Sequence, residues 1–200
     1  MKKPIAILGG GGHGRVVLDA LRLAGFEFLG IIDAKPDFMP PQGLRHLGGD
    51  LDAVSPADCD LVLGIGSVDV GAQNPRPRLF AEAKARGFHL PAFVHPAAFV
   101  AGDVILGEGA QILAGAIVQV GSRVGSNVIV NTRASVDHDG IIGDHVHLAP
   151  GVVLSGNVEI GAGSHLGTGA IVIQGMKIGV ESMIRAGSVI TKSVSAGGRV

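Results

Sequence analysis

Every sixth residue from Val94 to Ile190 is Leu, Ile or Val, without exception. A fixed short period over about half of a chain is typical of a solenoid, and a period of six is typical of a parallel β-helix. In such a fold each short strand directs one aliphatic side chain inward. The repeating positions are Val94, Val100, Leu106, Ile112, Val118, Val124, Val130, Val136, Ile142, Leu148, Leu154, Ile160, Leu166, Val172, Ile178, Ile184 and Ile190.

The repeat also predicts the size of the solenoid. Three hexads make one triangular coil, so residues 18 apart stack on neighbouring coils, and the seventeen hexads predict between five and six coils. Small residues often stand four positions after the aliphatic one, where the backbone must turn. They include Ala98, Ala110, Ala116, Ser122, Ala134, Ser164 and Ser182. Because flat β faces need partners to cover them, we expect a closed homotrimer.

The first 90 or so residues follow a different pattern, in which short apolar strands alternate with helices. We predict strands at 5–8, 28–32 and 61–65, helices at 14–24 and 78–86, and a proline-rich loop at 36–43. Strands that alternate with helices favour a parallel sheet, here half of a Rossmann-type unit. The sequence therefore predicts an α/β domain at 1–92, followed by an all-β parallel β-helix at 93–200.

Composition excludes several functional classes. The net charge is −1 and the basic residues are scattered, so the sequence shows no basic patch of the kind that binds nucleic acid or a membrane surface. The sequence contains no stretch of 18 uncharged apolar residues, so it predicts no membrane-spanning helix. The single Cys59 excludes an intrachain disulfide and favours a reducing compartment. Met1-Lys2-Lys3 leads directly into the first strand without a signal-peptide pattern, so we expect a cytoplasmic protein.

A glycine-rich loop joins the first predicted strand to the first helix. The run at 9–14, Gly-Gly-Gly-Gly-His-Gly, fits G-x-G-x-x-G, and Asp33 follows 19 residues after Gly14. Glycines let the backbone approach phosphate oxygens, and the helix N-terminus attracts anions. A dehydrogenase that binds NAD is disfavoured because this domain holds only one mononucleotide half. One half suits a nucleoside-diphosphate sugar; the alternative is a tight turn that only packs helix on strand.

The segment 131–139 carries the candidate chemistry. Val136 points inward, which places His138 and Asp139 at the following corner, where side chains project outward. Imidazole suits proton abstraction near neutral pH, and a neighbouring carboxylate can hold its tautomer. The alternatives are a solvated histidine, or a metal site built with Asp137, which is disfavoured because adjacent residues rarely converge on one ion.

The 18-residue spacing adds further candidates. It places Gly156 one coil beyond His138, where a backbone N–H can stabilise an oxyanion beside the base. Thr168 and Ala186 also lie one coil apart and form a line of small residues along which an extended phosphopantetheine arm fits. The alternative is that these residues are small only because the corners of a solenoid demand it. His147 and His165 stack in the same way, and His147 is the one that we consider for substrate contact.

With these motifs, the sequence resembles the sugar O- and N-acyltransferases of the sialic acid O-acetyltransferase NeuD and bacillosamine-pathway PglD type. The resemblance covers nearly the whole chain: the Gly-Gly-His-Gly loop, the short Rossmann-like half, and a β-helix that the family implies is left-handed. The most specific motif is Asn131-Thr132 followed by the triplet at 137–139 and Ile-Gly. Where family members usually end in a Gly-x-Pro-Ala-Lys-like tail that closes the CoA site, this sequence has Gly197-Gly198-Arg199-Val200.

The resemblance also implies roles for individual residues. His138 corresponds to the general base, Asp139 to the carboxylate that orients it, and His147 to the family's second histidine. The implied acetyl-CoA contacts are Gly156, Thr168 and Ala186. The implied nucleotide-sugar contacts are Gly11, His13, Gly14, Asp33 and Lys35, with Asn131 near the sugar.

Together these features predict an acetyl-CoA-dependent N-acetyltransferase that acts on the amine of a nucleotide-linked amino sugar, with a UDP-linked 4-amino sugar as the first choice and without a metal. One alternative is O-acetylation of a sugar hydroxyl, as in sialic acid modification. Another is a non-catalytic trimer that binds nucleotide sugars, which only the short C-terminal tail favours.

Overall fold

The computed structural model describes residues 3–66 and 68–200. These residues form two compact units, of which the first contains residues 3–66 and 78–91 and the second contains residues 68–77 and 92–200. Residues 68–77 thus group with the coils although they precede the predicted boundary. Among the described residues, no helix has the length and apolar character needed to cross a membrane.

The first unit contains a four-stranded parallel sheet in the order β3-β2-β1-β4. The strands are β1 (Ile5–Leu8), β2 (Phe28–Ile32), β3 (His46–Gly48) and β4 (Asp60–Leu63), and the helices of the chain are α1 (Gly12–Leu23) and α2 (Pro75–Ala85). Short 3₁₀ turns lie at Leu51–Ala53 and Gly71–Gln73. Helix α2 begins three residues earlier than predicted because proline suits the first position of a helix. Strand β3 was not predicted, since its three residues are too few to show a pattern.

The second unit contains seventeen two-residue strands, one for each hexad, in three parallel sheets. The strands are β5 (Phe93–Val94), β6 (Phe99–Val100), β7 (Ile105–Leu106), β8 (Gln111–Ile112), β9 (Ile117–Val118), β10 (Arg123–Val124), β11 (Ile129–Val130), β12 (Ser135–Val136), β13 (Ile141–Ile142), β14 (His147–Leu148), β15 (Val153–Leu154), β16 (Glu159–Ile160), β17 (His165–Leu166), β18 (Ile171–Val172), β19 (Lys177–Ile178), β20 (Met183–Ile184) and β21 (Val189–Ile190). Successive strands alternate among the sheets, which confirms the predicted β-helix.

The three sheets take every third strand. Sheet 1 contains β5, β8, β11, β14, β17 and β20; sheet 2 contains β6, β9, β12, β15, β18 and β21; sheet 3 contains β7, β10, β13, β16 and β19. Residues 18 apart are paired across each sheet, as His147 is with His165. The second residue of each strand points into the core and is buried from Ile112 onward. Five to six strands per sheet match the predicted number of coils.

The corners of the coils share one backbone conformation. Every sixth residue from 109 to 187 is left-handed, with φ between +52° and +73°. Most of these positions are glycine, which adopts this conformation at no steric cost. The exceptions are Asn127, Arg133, Asp139, His145, Asn157 and Glu181. A non-glycine residue there costs of order 1 kcal/mol or more, so a side chain retained at such a corner is a candidate for function.

Candidate active site

A pocket of about 600 Å³ lies in the first unit, at the carboxyl ends of its parallel strands. Gly9 follows β1, Asp33 follows β2 and Gly64 follows β4, and all three line the pocket. This edge of an open parallel sheet is where ligands of such folds bind. The volume lies within the range of small-molecule sites.

The glycine loop forms one wall of this pocket. Gly11, Gly12 and His13 line it, and α1 begins here with Gly11 as an N-cap that has no side chain to satisfy the first amides. Those amides and the positive end of the helix dipole suit a phosphate group. Gly14, in contrast, does not line the pocket: a Cβ there would overlap the carbonyl oxygen of Gly9. Gly14 therefore serves the close packing of α1 on β1.

Asp33 holds the glycine loop against the end of β2. Its Oδ2 accepts a hydrogen bond from Gly10 N at 2.8 Å, and its Oδ1 accepts one from Lys35 N at 3.0 Å. Burial opposes ionisation of this carboxyl, but the two N–H donors and the charges of Lys35 and His46 together outweigh burial and lower the pKa of Asp33. Both oxygens therefore already have a backbone partner, and further bonds to a ligand would use their remaining lone pairs.

Charged side chains of both signs flank the pocket. Lys35 lines it, and so do Arg78 and Glu82, which sequence reasoning missed. The Arg78 Nη1 lies 3.7 Å from Glu82 Oε2, one turn along α2, and the Arg78 side chain is 72% exposed. The i,i+4 spacing of this pair on a predicted helix was the only available signal. The pocket thus combines a helix start and two cations, which suit a diphosphate, with the carboxylates of Asp33, Asp50 and Glu82.

In the second unit, His138 and Asp139 lie at the corner between sheets 2 and 3, after β12. The Nδ1 of His138 lies 2.9 Å from Asp139 Oδ2. This hydrogen bond raises the pKa of His138; desolvation opposes the shift, and the charges of Asp137 and Asp139 add to it. Because Asp139 accepts a hydrogen bond from Nδ1–H, Nε2 carries the lone pair that can take a proton from a substrate.

Asp139 is one of the six non-glycine residues with left-handed backbone, at φ +59°. Its carboxylate lies over Gly121, one coil earlier, where a Cβ would overlap Oδ1. A second carboxylate supports this corner from below, since Asp103 Oδ2 accepts a hydrogen bond from Gly121 N at 2.9 Å. Asp139 thus has a strained left-handed backbone conformation, and the absence of a side chain at Gly121 leaves room for its carboxylate.

Gly156 lies one coil beyond His138, where the 18-residue spacing placed it. A Cβ at Gly156 would overlap Nε2 of His138, so the imidazole ring rests directly on this glycine. The Gly156 carbonyl accepts a hydrogen bond from Gly175 N, whereas its N–H donates none within residues 3–66 and 68–200. An available backbone donor therefore lies beside the nitrogen that would act as the base.

Asn131 and His147 lie on another side of the coil. His147 projects outward from β14 in sheet 1, and Asn131 follows β11 of the same sheet. Asn131 Nδ2 lies 3.1 Å from His147 Nε2, and the ring of His165 packs edge-on against that of His147, with centroids 4.9 Å apart. Within one chain, the strand β13 and two corners separate His147 from His138.

The three predicted CoA contacts also lie on two corners. Gly156 shares the corner between sheets 2 and 3 with His138, whereas Thr168 and Ala186 lie on the corner between sheets 1 and 2, and both are exposed. The structure therefore places the predicted base and the predicted CoA contacts along the two edges of sheet 2, and one chain does not bring them together.

Comparison with known proteins identifies relatives of both units. A family model described as the PglD N-terminal domain matches residues 4–73. The acetyltransferase domain of PglB from Neisseria gonorrhoeae FA1090, solved in complex with acetyl coenzyme A, is 34% identical, with a TM-score of 0.90; the match covers 100% of this chain and 96% of that one. PerB from Caulobacter crescentus, solved with CoA and GDP-perosamine, is 34% identical with a TM-score of 0.86 over 98% and 92% of the two chains. WeeI from Acinetobacter baumannii AYE is 25% identical with a TM-score of 0.79 over 100% and 96%.

Proposed function

Because the chain belongs to the family of sugar acetyltransferases that join a PglD-type N-terminal domain to a left-handed hexapeptide-repeat β-helix, we propose that it transfers the acetyl group of acetyl-CoA to the amine of a nucleotide-linked amino sugar. The observation that carries this proposal is the His138–Asp139 pair, whose unblocked Nε2 lies against Gly156. This arrangement places a base, His138, and a donor for an oxyanion, the Gly156 N–H, at one corner of the β-helix.

The proposed reaction is a direct transfer. The amine attacks the thioester carbonyl, and His138 Nε2 takes the proton that the nitrogen loses as the new C–N bond forms. The imidazolium that results is stabilised by Asp139, and the Gly156 N–H donates to the oxygen that becomes negative. When the C–S bond breaks, the imidazolium returns its proton to the departing thiolate of CoA. No covalent acyl-enzyme is required.

The nucleotide is assigned to the pocket of the first unit. The start of α1 and the side chains of Lys35 and Arg78 suit a diphosphate, and His13 lies in the same wall. We take a UDP-linked 4-amino sugar as the first acceptor, with a GDP-linked one beside it because the Caulobacter relative was solved with GDP-perosamine. A metal is not part of the proposal.

We place the CoA groove between β-helices of a homotrimer. Apart from Ser135 in β12, the outward side chains of sheet 2 form an apolar column that a partner would cover. Its members, exposed by 39–57%, are Phe99, Ile117, Val153, Ile171 and Val189. Since His138 and Gly156 lie at one edge of this sheet and Thr168 and Ala186 at the other, packing through sheet 2 would bring the two edges of neighbouring copies together.

The test is thiol release from acetyl-CoA with UDP-, dTDP- and GDP-linked 4-amino sugars, and with sialic acid as a hydroxyl acceptor. We expect turnover with an amino sugar and none with sialic acid. Turnover with sialic acid alone would show that the protein is an O-acetyltransferase and not an N-acetyltransferase. Absence of both turnover and CoA binding would contradict the assignment as an enzyme and favour a non-catalytic protein that binds nucleotide sugars.

The pKa of His138 predicts the pH dependence. The base is active when neutral, so kcat/KM should fall as pH drops through the raised pKa of His138. Asp139→Asn removes the main cause of the rise, so the inflection should move to lower pH while the plateau falls about tenfold or more through lost orientation. The measurement is kcat/KM against pH.

The matched control for this experiment is Asp103→Asn. This change also removes one carboxylate from the same column of corner residues, but Asp103 bonds Gly121 N and not the imidazole. Its profile should follow that of the unsubstituted protein. An inflection that stays in place in Asp139→Asn would contradict the assignment of His138 as the titrating base.

A further inference from the structure

A buried hydroxyl from the preceding coil spans the turn that carries His138 and Asp139. The turn begins at Asp137 and ends at Gly140. Gly140 N donates to Ser122 Oγ at 3.1 Å, and Ser122 Oγ donates to the carbonyl oxygen of Asp137, also at 3.1 Å. Ser122 is only 1% exposed, so its hydroxyl is shielded from solvent. One side chain thus joins the two ends of this turn.

The direction of both hydrogen bonds follows from the chemistry of the groups. A backbone N–H only donates and a backbone carbonyl only accepts, so Ser122 Oγ accepts from Gly140 and gives its single proton to Asp137. An alanine in place of Ser122 could do neither, and both backbone groups would lose this partner. The bridge therefore depends on a hydroxyl at this position.

Other turns of the β-helix close without a hydroxyl. At every corner between sheets 1 and 2, the last N–H of the turn donates directly to the first carbonyl oxygen, across 2.9 Å in the turn 131–134. The first corner between sheets 2 and 3 closes in the same way, across 3.1 Å in the turn 101–104. In the part of the chain that the structure describes, no such bond joins Gly140 N to Asp137 O. The Ser122 hydroxyl is inserted where that bond would form.

Other backbone bonds of this turn run along the axis of the β-helix. Asp139 N donates to Val120 O of the preceding coil at 3.0 Å, and Asn157 N of the next coil donates to His138 O at 2.8 Å. These bonds tether the turn to its neighbours, but they do not join its two ends to each other. The Ser122 hydroxyl does join them, and the imidazole and the carboxylate project from the segment between those ends.

We propose that Ser122 is a positioning residue whose hydroxyl holds the turn in the form that aligns the His138 imidazole with the Asp139 carboxylate and with Gly156. Without the hydroxyl, we expect the turn to close by the direct bond found in the turn 101–104. That closure would move the two side chains out of alignment without unfolding the coil. The proposal rests on the proposed function for the effect on turnover, but not for the geometry of the pair.

The chain contains a second hydroxyl bridge of the same kind. Ser164, also 1% exposed, donates from Oγ to Gly179 O at 2.9 Å and accepts from Ser182 N at 3.1 Å. The turn that it spans, 179–182, contains none of the predicted site residues. Ser164→Ala therefore removes two equivalent bonds at the same depth, and it is the matched control for Ser122→Ala.

Both variants are expected to fold. Ala110, Ala116 and Ala134 stand at the equivalent position of other hexads, so the β-helix accepts alanine there. Loss of the two hydrogen bonds should lower the melting temperature of each variant by about 2–6 °C. A thermal melt checks this, and the activities are compared well below both transitions.

We expect Ser122→Ala to lower kcat about tenfold or more, because a misaligned base takes the proton less efficiently. Ser164→Ala should keep kcat within about twofold. The inflection of kcat/KM should move to lower pH in Ser122→Ala only, since the hydrogen bond from His138 to Asp139 is the main cause of the raised pKa of that imidazole. Unchanged kcat in Ser122→Ala, or an equal loss in both variants, would overturn the positioning role.

The alignment is also measured without a substrate, by an NMR titration of the His138 imidazole in ligand-free protein, assigned with His138→Asn. The pKa of His138 should be lower in Ser122→Ala and unchanged in Ser164→Ala. The charges that act on the ring, those of Asp137 and Asp139, are present in all three proteins, so a difference reports the geometry of the pair. An unchanged titration in Ser122→Ala would overturn the proposal, even in an active enzyme. A shifted titration in a protein that turns over no acceptor would overturn the proposed function alone.

Discussion

Replacement of His138 by asparagine is expected to lower turnover of the amino-sugar acceptor by about 10²–10⁴-fold, the usual contribution of a general base. Asparagine keeps a polar side chain at the corner, but it cannot accept the proton that the attacking amine releases. Because His138 is exposed at the surface of the coil and contributes nothing to the core, folding should be unaffected. The measurement is kcat from thiol release, with CoA binding followed by calorimetry and expected to be retained.

The chain offers a matched control in a second histidine–carboxylate pair. His89 Nδ1 lies 3.2 Å from Asp60 Oδ2, and the His89 side chain is 63% exposed. His89→Asn therefore removes a histidine with the same kind of partner but outside the proposed site, and turnover should not change. Near-normal turnover in His138→Asn would exclude this residue as the base, whatever the effect of the control.

The fold could be predicted from the sequence because the β-helix is a one-dimensional repeat. Each hexad places one aliphatic residue in the core, and every coil contacts mainly its neighbours, so the period alone determines the strands, the sheets and the pairing of residues 18 apart. The same spacing predicted that Gly156 would lie against His138, and the structure places it there.

Contacts that leave this periodic lattice could not be predicted. Asn131 and His147 are 16 residues apart, so spacing does not stack them, and they meet because the Asn131 side chain reaches back along sheet 1. The use of both Asp33 oxygens by backbone amides depends on the path of the glycine loop, which no periodicity describes.

The predicted CoA contacts lie on two different corners because of their spacing in the sequence. Thr168 lies 12 residues after Gly156, two-thirds of a coil, which places it on a different corner. The separation of the predicted CoA contacts along both edges of sheet 2 follows from that arithmetic. Such a separation is compatible with one groove only if a second copy supplies the other edge, which is why the proposed trimer is part of the proposed site.

The second large effect is expected from the smallest change, Gly156→Ala. The column to which this residue belongs holds Gly102, Val120, His138, Gly156 and Gln174, each one coil apart. Side chains stand at three of these positions, and Gly156 is not in the left-handed region, so the backbone itself accepts a Cβ. The three atoms nearest to a Cβ at Gly156 would all belong to the imidazole of His138.

We therefore expect Gly156→Ala to keep the fold and lose the activity. The His138 ring is an exposed side chain that can swing away from the new methyl group, so the melting temperature should move by only a few degrees. Displacement of the base by about an ångström and obstruction of the backbone donor should together lower kcat by about 10²–10³-fold. Gly102→Ala, for which a Cβ meets nothing within 4 Å, is the matched control and should behave as the unsubstituted protein.

The double variant His138→Asn with Gly156→Ala distinguishes the two causes of that loss. If the methyl group acts only by displacing the imidazole, adding it to a protein that already lacks the base should cost little more. If it also obstructs the Gly156 N–H, the double variant should fall a further tenfold or more below His138→Asn, because stabilisation of the oxyanion does not depend on the base. Turnover of Gly156→Ala within twofold of the unsubstituted protein would contradict both, and with them the placement of the thioester beside this glycine.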